Sequence, residues 1–377
     1  MIRPASAGKS AIHVVLRRAV VIVAYLGLFM LFLYFPLLME YWSDLQALNV
    51  CVFAETFSPQ AISRFEQEAG VKVHVTYVEI DDQLHAKFRM NGALGYDVVN
   101  ISDYVVHSVG SAGQLAALDN QLLPNLHRVE PCLVNLVFDP ENQYSVPHKW
   151  YVYGMVYDKQ AFRLAPEDVS LSFLFETPAM AVAKGVISAP YRVCMLDDAR
   201  DAFFMAAIYL FGRVEGFSAA ELHKIRDLLL AQKKWVEAYT LHSAQYFLHA
   251  GITPLALMSS NYMRKMYEAS DRFTFAIPKE GSMLVVENLA VPATSKKVVL
   301  AQRFINFMLR DDIAALNSGT YGFNSANKYA NQHVPERLRQ NKHLFPDAGM
   351  FKRLHIPLLP EHMRKLVDDM WLEVSFS

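Results

Sequence analysis

Residues 48–102 read LNVCVFAETFSPQAISRFEQEAGVKVHVTYVEIDDQLHAKFRMNGALGYDVVNIS, and their rhythm decides the fold class. Leu48 to Phe53 is an apolar run of strand length. Ser58-Pro59 opens a helix, with Ser as N-cap and Pro in the first turn, and Gly70 ends it just past Glu68. Val71, Val73 and Val75 alternate with Lys72, His74 and Thr76, the period of a half-buried strand. Asp81 to Met90 reads as a second helix and Tyr96 to Ile101 as a third strand, ending at Ser102. Strand, helix, strand, helix, strand predicts an α/β fold with a parallel-type sheet flanked by helices. Ligands bind beyond the carboxyl ends of such strands, which is where Glu55 and the Ser102-Asp103-Tyr104 turn lie.

Upstream, residues 19–39 read AVVIVAYLGLFMLFLYFPLLM without a charge. About 20 apolar residues cross a bilayer's hydrocarbon core. Arg3, Lys9, Arg17 and Arg18 precede the run, while Glu40 and Asp44 follow it. The positive-inside rule then keeps residues 1–18 in the cytoplasm and sends the remainder across. A cleaved signal has an apolar centre of roughly 7–15 residues and small residues before the cut. This run is longer, and no A-x-A site precedes Glu40, so residues 19–42 read as an uncleaved signal anchor. Tyr34, Tyr41 and Trp42 suit the membrane interface. A lipoprotein site at Leu48-Asn49-Val50-Cys51 is set aside because Cys51 falls inside a strand. A buried core helix would show a polar stripe, and none is present.

The net formal charge is −1 with no long basic run, which argues against nucleic acid. The chain beyond the anchor exceeds the ~100–200 residues of one domain, so two lobes are expected. The three cysteines, Cys51, Cys132 and Cys194, have no metal or redox spacing and read as buried free thiols. G-x-S-x-G, H-E-x-x-H and phosphate-cradling glycine loops are missing from the sequence. The expectation is a binding protein, not an enzyme, with no cofactor and no metal. Asp197-Asp198-Ala199-Arg200-Asp201 has the spacing of a magnesium motif, but no basic cluster follows to hold a phosphate-bearing substrate.

Downstream, Gly185 to Ser188 predicts a strand and Asp198 to Phe211 a helix. Ser218 and Glu221 form a capping box for a helix through Glu237. Ile252–Met258 and Phe273–Ile277 predict strands. Ser295 caps a helix carrying Phe304, Phe307 and Met308 on one face. The polar segment after Asn331 is expected to be helical and to pack on the second lobe.

Several landmarks then recur in one order: Phe65-Glu66-Gln67-Glu68-Ala69-Gly70-Val71-Lys72-Val73, Gly95-Tyr96-Asp97-Val98-Val99, Phe138-Asp139-Pro140 and Tyr144-Ser145-Val146-Pro147. They continue with Leu196-Asp197-Asp198-Ala199-Arg200-Asp201, Ile277-Pro278-Lys279-Glu280-Gly281, Glu287-Asn288-Leu289-Ala290-Val291-Pro292-Ala293, Ile305-Asn306-Phe307-Met308-Leu309-Arg310, Gly319-Thr320-Tyr321 and Phe345-Pro346-Asp347-Ala348. Across about residues 47 to 350 this series resembles the spermidine/putrescine-binding family of bacterial polyamine ABC importers. The resemblance implies a two-lobed periplasmic-binding-protein clamshell behind the N-terminal transmembrane helix. Crossovers fall near Trp150–Tyr153 and Val286–Glu287, with a return near Lys328. Lobe 1 is then 46–151 plus 287–329, and lobe 2 is 152–286 plus 330–377. It also implies a small cationic ligand, an ABC permease as partner, and a place on the periplasmic face of the bacterial inner membrane, held by the N-terminal helix.

A polyamine needs carboxylates for its ammonium groups and aromatic faces for its methylenes and charge. The resemblance places Phe53 and Glu55 at the first strand end, Tyr104 on the following wall, and Asp198 and Asp201 in the second lobe. It adds Glu287 at the second crossover, Tyr321 after the paired helices, and Ser259 where the family carries a tryptophan. A second family tryptophan falls on Val285 and a late glutamine near Pro357. The acidic ring is kept and the aromatic box thinned, which favours a cation and leaves open one shorter or bulkier than the linear polyamines. Taken singly, Asp198 and Asp201 also read as helix N-terminal charges and Asp103 as a turn residue. Lys149 would oppose a cation in the cleft and is expected to point away. The alternatives are a clamshell receptor for another small cation acting through a membrane partner, and a membrane-tethered enzyme.

Overall fold

The computed structural model describes residues 7–240 and 243–376. The first six residues of the expected cytoplasmic tail, including Arg3, lie outside the described residues. So do the side chains of Lys9, Glu40, Tyr41, Trp42 and Asp44. One helix, Ala7–Gln46, carries the apolar run. Its stretch Leu16–Phe35 has mean hydropathy 2.1 and buries nothing against the rest of the chain. A single residue, Ala47, separates this helix from the first strand.

The strands are β1 (Leu48–Phe53), β2 (Val73–Val78), β3 (Val98–Ser102), β4 (Ser145–Asp158), β5 (Val193–Met195) and β6 (Val236–Tyr239). They continue with β7 (Leu255–Ser259), β8 (Phe273–Ala276), β9 (Ser282–Ala290), β10 (Asn324–Ser325) and β11 (Leu354–His355). β2, β1 and β3 run parallel, as the opening stretch predicts. The helix between β1 and β2 is Pro59–Ala69, capped by Ser58 and closed by Gly70 at φ 69°. β3 then meets β9 antiparallel, and β9 meets β4.

One strand, β4, belongs to both sheets. The first part of β4 pairs with β9 and β10, whereas Tyr153 onward pairs with β7 and β8. β7 leads on to β5 and β6, parallel strands of the second sheet. Gly154 sits at this change of partner, and a Cβ there would lie 2.3 Å from the Phe275 ring; only glycine lets that ring close over the strand. One apolar core lies under the first sheet and continues onto one face of the second. The other fills the opposite face of the second sheet beneath the helices Ala199–Phe211, Ala219–Gln232 and Glu361–Phe376.

Local readings fail where tertiary contacts intervene. Gly185 to Ser188 is not a strand. Gly185, at φ 70°, closes the helix Pro178–Ala183, with the Val186 N–H bonded to the Ala181 carbonyl and Ile187 buried. The helix expected through Glu237 stops at Gln232, because the Trp235 indole donates to the Leu174 carbonyl at 2.9 Å and the chain leaves as β6. The helix expected from Ser295 begins at Val298: the Ser295 hydroxyl accepts the Lys297 N–H at 3.1 Å in a turn ahead of the helix and donates to Asp97 at 2.7 Å. Beyond Asn331 the chain divides: Val334, Leu338 and Leu344 join the first core, and Val367, Met370 and Val374 the second. Cys51 and Cys194 are buried free thiols; Cys132 is free but exposed, in contrast to the expectation.

Candidate functional site

β4 builds the floor between the two sheets. Side chains two apart share a strand face, so Lys149, Tyr151 and Tyr153 form one row. The row owes its direction to an irregularity. Pro147 is opposite Asn288, yet Lys149 is opposite Glu287, so His148 is an extra residue bulged out of register. A one-residue slip reverses which face each side chain takes. Lys149 therefore faces Glu287 directly, with Nζ 3.0 Å from Oε2 and both side chains 8% exposed. The expectation that Lys149 points away is corrected by this bulge. Burial raises the Glu287 carboxyl above its ordinary range, while Lys149 and the Asn100 amide work against the shift. His148 is driven down to about 3 by burial and then by the Lys149 charge, so the imidazole is neutral.

At the other end of the row the Tyr153 hydroxyl donates to Asp201 Oδ2 at 2.6 Å. Asp201 lies in the first turn of the Ala199–Phe211 helix, and its Oδ1 accepts from Arg200 Nε and Nη2 at 3.0 and 2.7 Å. Asp198 is the N-cap and accepts the Asp201 N–H at 2.8 Å. The Arg200 guanidinium lies 4.0 Å from the centroid of the Tyr104 ring, which comes from the first sheet. Asp103 is buried and does more than turn the chain. β3 ends opposite Glu287 and can no longer receive the next N–H of β9. The Asp103 carboxylate accepts that N–H, from Val286, at 2.9 Å. Asp81 accepts the Ser102 N–H at 3.1 Å.

This end holds more acid than base. Arg200 is the cation that stabilises Asp81, Asp103 and Asp198 together, while it also pairs with Asp201. Burial pushes Asp103 up to about 7, with Arg200 opposing. Burial and the neighbouring Asp201 charge push Asp198 up to about 7. Arg200 is held firmly cationic: its burial is outweighed by the neighbouring carboxyl groups of Asp201, Asp198 and Asp103. Arg200 Nη1 is buried with no hydrogen-bond partner among the described residues. A second arginine, Arg364 of the C-terminal helix, reaches Asp82 of the first sheet's helix at 3.3 Å.

The predicted residues thus fall into groups. Tyr104, Asp198, Asp201 and Glu287 line the row and its two ends. Tyr151, missed from the sequence, is the link between them, since Glu287, Asp201 and Asp81 all act with burial to raise its phenol. Ser259 is opposite Tyr153, and its hydroxyl caps the following helix by accepting the Asn261 N–H at 3.2 Å. Glu55 stands apart from this row on an exposed turn at φ 59°. Its charge is felt by Tyr262 and Tyr321, whose phenols are raised first by burial. The Tyr321 hydroxyl donates to the Phe57 carbonyl at 3.3 Å. Phe53 is half-buried against the first core. Lys149, Tyr151 and Tyr153 carried one available signal: their alternation along a strand.

Two sheets joined by one shared strand, with polar groups from both sides converging near it, define a two-lobed solute-binding protein. The sequence profile of the bacterial extracellular solute-binding protein family matches residues 60–346, and the chain belongs to that family. It is 26% identical over 295 residues to the spermidine/putrescine-binding periplasmic protein 1 of Haemophilus influenzae, covering 78% of this chain and 79% of that one. It is 27% identical over 332 residues to the putrescine-binding periplasmic protein PotF of Escherichia coli, covering 83% and 86%. Among solved structures it is similar to a putative spermidine/putrescine ABC transporter from Listeria monocytogenes. The TM-score is 0.75 and the identity 25%, over 88% of this chain and 99% of that one. The periplasmic-binding-protein clamshell is thereby the fold of this chain.

Proposed function

We infer that the chain is a membrane-anchored receptor that captures a small organic cation of the polyamine class between its lobes and delivers it to an ABC permease. The observation that carries this is the acid excess at the Asp198 end, where Asp81, Asp103, Asp198 and Asp201 surround one guanidinium. An ammonium group entering there replaces its hydration with charge-assisted hydrogen bonds and relieves carboxylates that burial otherwise keeps protonated. Tyr104, Tyr151, Asp198, Asp201 and Glu287 are the residues assigned to the cleft, with Glu55 and Tyr321 at its outer edge. Names of relatives that include spermidine and putrescine support the ligand class. The exposed apolar helix supports an anchor in the inner membrane with the lobes in the periplasm. The lobes are assigned as 46–151 plus 287–329 and 152–286 plus 330–377, hinged where β4 changes partner. The protein performs no chemistry on its ligand; its work is a difference in affinity between open and closed states.

The test is thermal unfolding of the full chain in detergent against putrescine, spermidine, simple monoamines, sugars and carboxylic acids. At a hundredfold the dissociation constant a ligand stabilises by about 2.7 kcal/mol. Amines are expected to raise the melting temperature, and Asp198→Asn to reduce the rise. A rise with neutral or anionic solutes alone overturns the reading. A full-length chain released from membranes by a high-pH wash overturns the anchor.

A further inference from the structure

We propose that Lys149 is a tethered ammonium that permanently occupies the Glu287 end of the cleft, so that the solute taken by this protein carries a single cationic centre. The inference rests on the cation reading above and departs from its polyamine ligand, replacing it with an amine of one positive charge. A linear dication spanning the cleft needs an available carboxylate at each end. Glu287 is the acid at one end, and its charge is already met by a lysine on the neighbouring strand at 3.0 Å. That contact is built into the ladder: Lys149 and Glu287 are register partners, fixed there by the bulge at His148. Opposite charges in directly paired strand positions attract without any long side chain having to be recruited.

An incoming ammonium at Glu287 meets the Lys149 charge beside it and is repelled unless Lys149 moves, and the surroundings offer a displaced Lys149 little. Lys149 Nζ is 5.6 Å from the centroid of the Phe323 ring. The other cross-strand neighbour of Lys149 is Ser325, on β10. His148, next along the strand, is buried and neutral. A buried cation without its partner is strongly disfavoured. The Asp198 end differs. There the carboxylates outnumber Arg200 and Arg364, the two guanidinium groups named around them, so one more positive charge is accommodated. Tyr151, between the two ends, offers a ring to a neutral tail. The ligand that fits is an amine with one ammonium head at Asp198 and an uncharged remainder.

The experiment is calorimetric titration of the full chain in detergent with putrescine and with n-butylamine, which differ by one terminal ammonium. Wild type is expected to bind butylamine at least as tightly as putrescine; tighter binding of putrescine overturns the proposal and leaves the cation reading standing. Lys149→Met frees Glu287, and the affinity for putrescine relative to butylamine should rise at least tenfold. An unchanged ratio overturns the proposal. Lys149→Met/Glu287→Gln removes both charges, and the gain should vanish; a gain that persists without Glu287 also overturns it. If Lys149→Met alone does not fold, the wild-type ratio and the double variant decide. Binding of neither amine to any of the proteins overturns the cation reading, and this inference with it.

Discussion

At Glu287 one carboxylate faces one lysine across a strand ladder and the two charges cancel; at the start of the Ala199–Phe211 helix four carboxylates draw on Arg200. Both groups are buried and both lie between the two sheets. The difference lies in how the cation is supplied. Lys149 is delivered by backbone register, which leaves one partner for one charge. Arg200 is delivered by a helix terminus, where Asp198 and Asp201 are already needed for the cap and the first turn. In the proposed function the closed pair serves as structure, and the unbalanced group is the one assigned to hold a cation. An acidic residue in a cleft therefore says little about ligand charge until its internal counter-ions are counted.

The largest effect that separates the two ends is expected at the closed pair. Lys149→Met should destabilise by about 3–5 kcal/mol, because it leaves a buried carboxylate unpaired. The double variant Lys149→Met/Glu287→Gln should recover at least half of that. Urea unfolding of the full chain reads both, and equal losses in the two variants would show that the charges do not act as a pair. Next, Arg200→Met should cost about 3 kcal/mol through the lost ion pair and the lost stacking on Tyr104. Arg200→Lys should restore only part of it, since the fork geometry and the planar stack are gone.

The acid-rich end also predicts a pH dependence. An unfolded aspartate titrates near ~3.9, whereas Asp103 and Asp198 titrate up at about 7 in the fold. Below ~4 both states hold these protons, and the stability these groups confer is fully present. Between ~4 and ~7 the unfolded chain has lost its protons while the fold keeps them, so stability falls as pH rises, by up to about 4 kcal/mol for each group. The groups facing these two acids are Asp81, Asp82, Asp201 and Arg200, with Tyr104 alongside. Denaturant midpoints from pH 4.5 to about 7.5 should show the decline, and Asp198→Asn should flatten it. Glu287→Gln should leave the slope caused by Asp103 and Asp198 in place. The smallest effect separates cap from charge. Asp198→Asn keeps an N-cap oxygen, whereas Asp198→Ala loses it and should cost about 1 kcal/mol more. If the two variants are equally stable, Asp198 matters through its charge alone.

Much of the first sheet was legible because its signals are local. Ser58, Pro59 and Gly70 mark the ends of one helix, and the valines from Val73 alternate as β2 does. The capping box at Ser218 and Glu221 was readable for the same reason. Val186 and Ile187 misled because a helix end and a buried contact use apolar residues as a strand does. Ser295 misled because its hydroxyl holds the turn before the helix, accepting the Lys297 N–H, and not the first turn of the helix itself. The sense of Lys149 hung on one bulged residue, and no periodicity within β4 reveals where a partner strand slips. Arg200 was visible between two aspartates, but adjacent helical positions do not ordinarily face each other. Its guanidinium turns back on Asp201 and lies over Tyr104, a ring from a distant part of the chain that no local pattern brings to it.

By itself the sequence determined that an apolar N-terminal helix precedes an α/β chain of two sheets, and that acidic residues fall near strand ends and crossovers. Those features depend on the order of apolar, polar and breaking residues along one strand or helix. Which acids remain uncompensated was decided only by tertiary structure. Charge balance in a cleft depends on distances of a few ångströms between side chains far apart in the sequence, and those distances are set by the register between β4 and β9 and by the docking of the second sheet's helix against Tyr104.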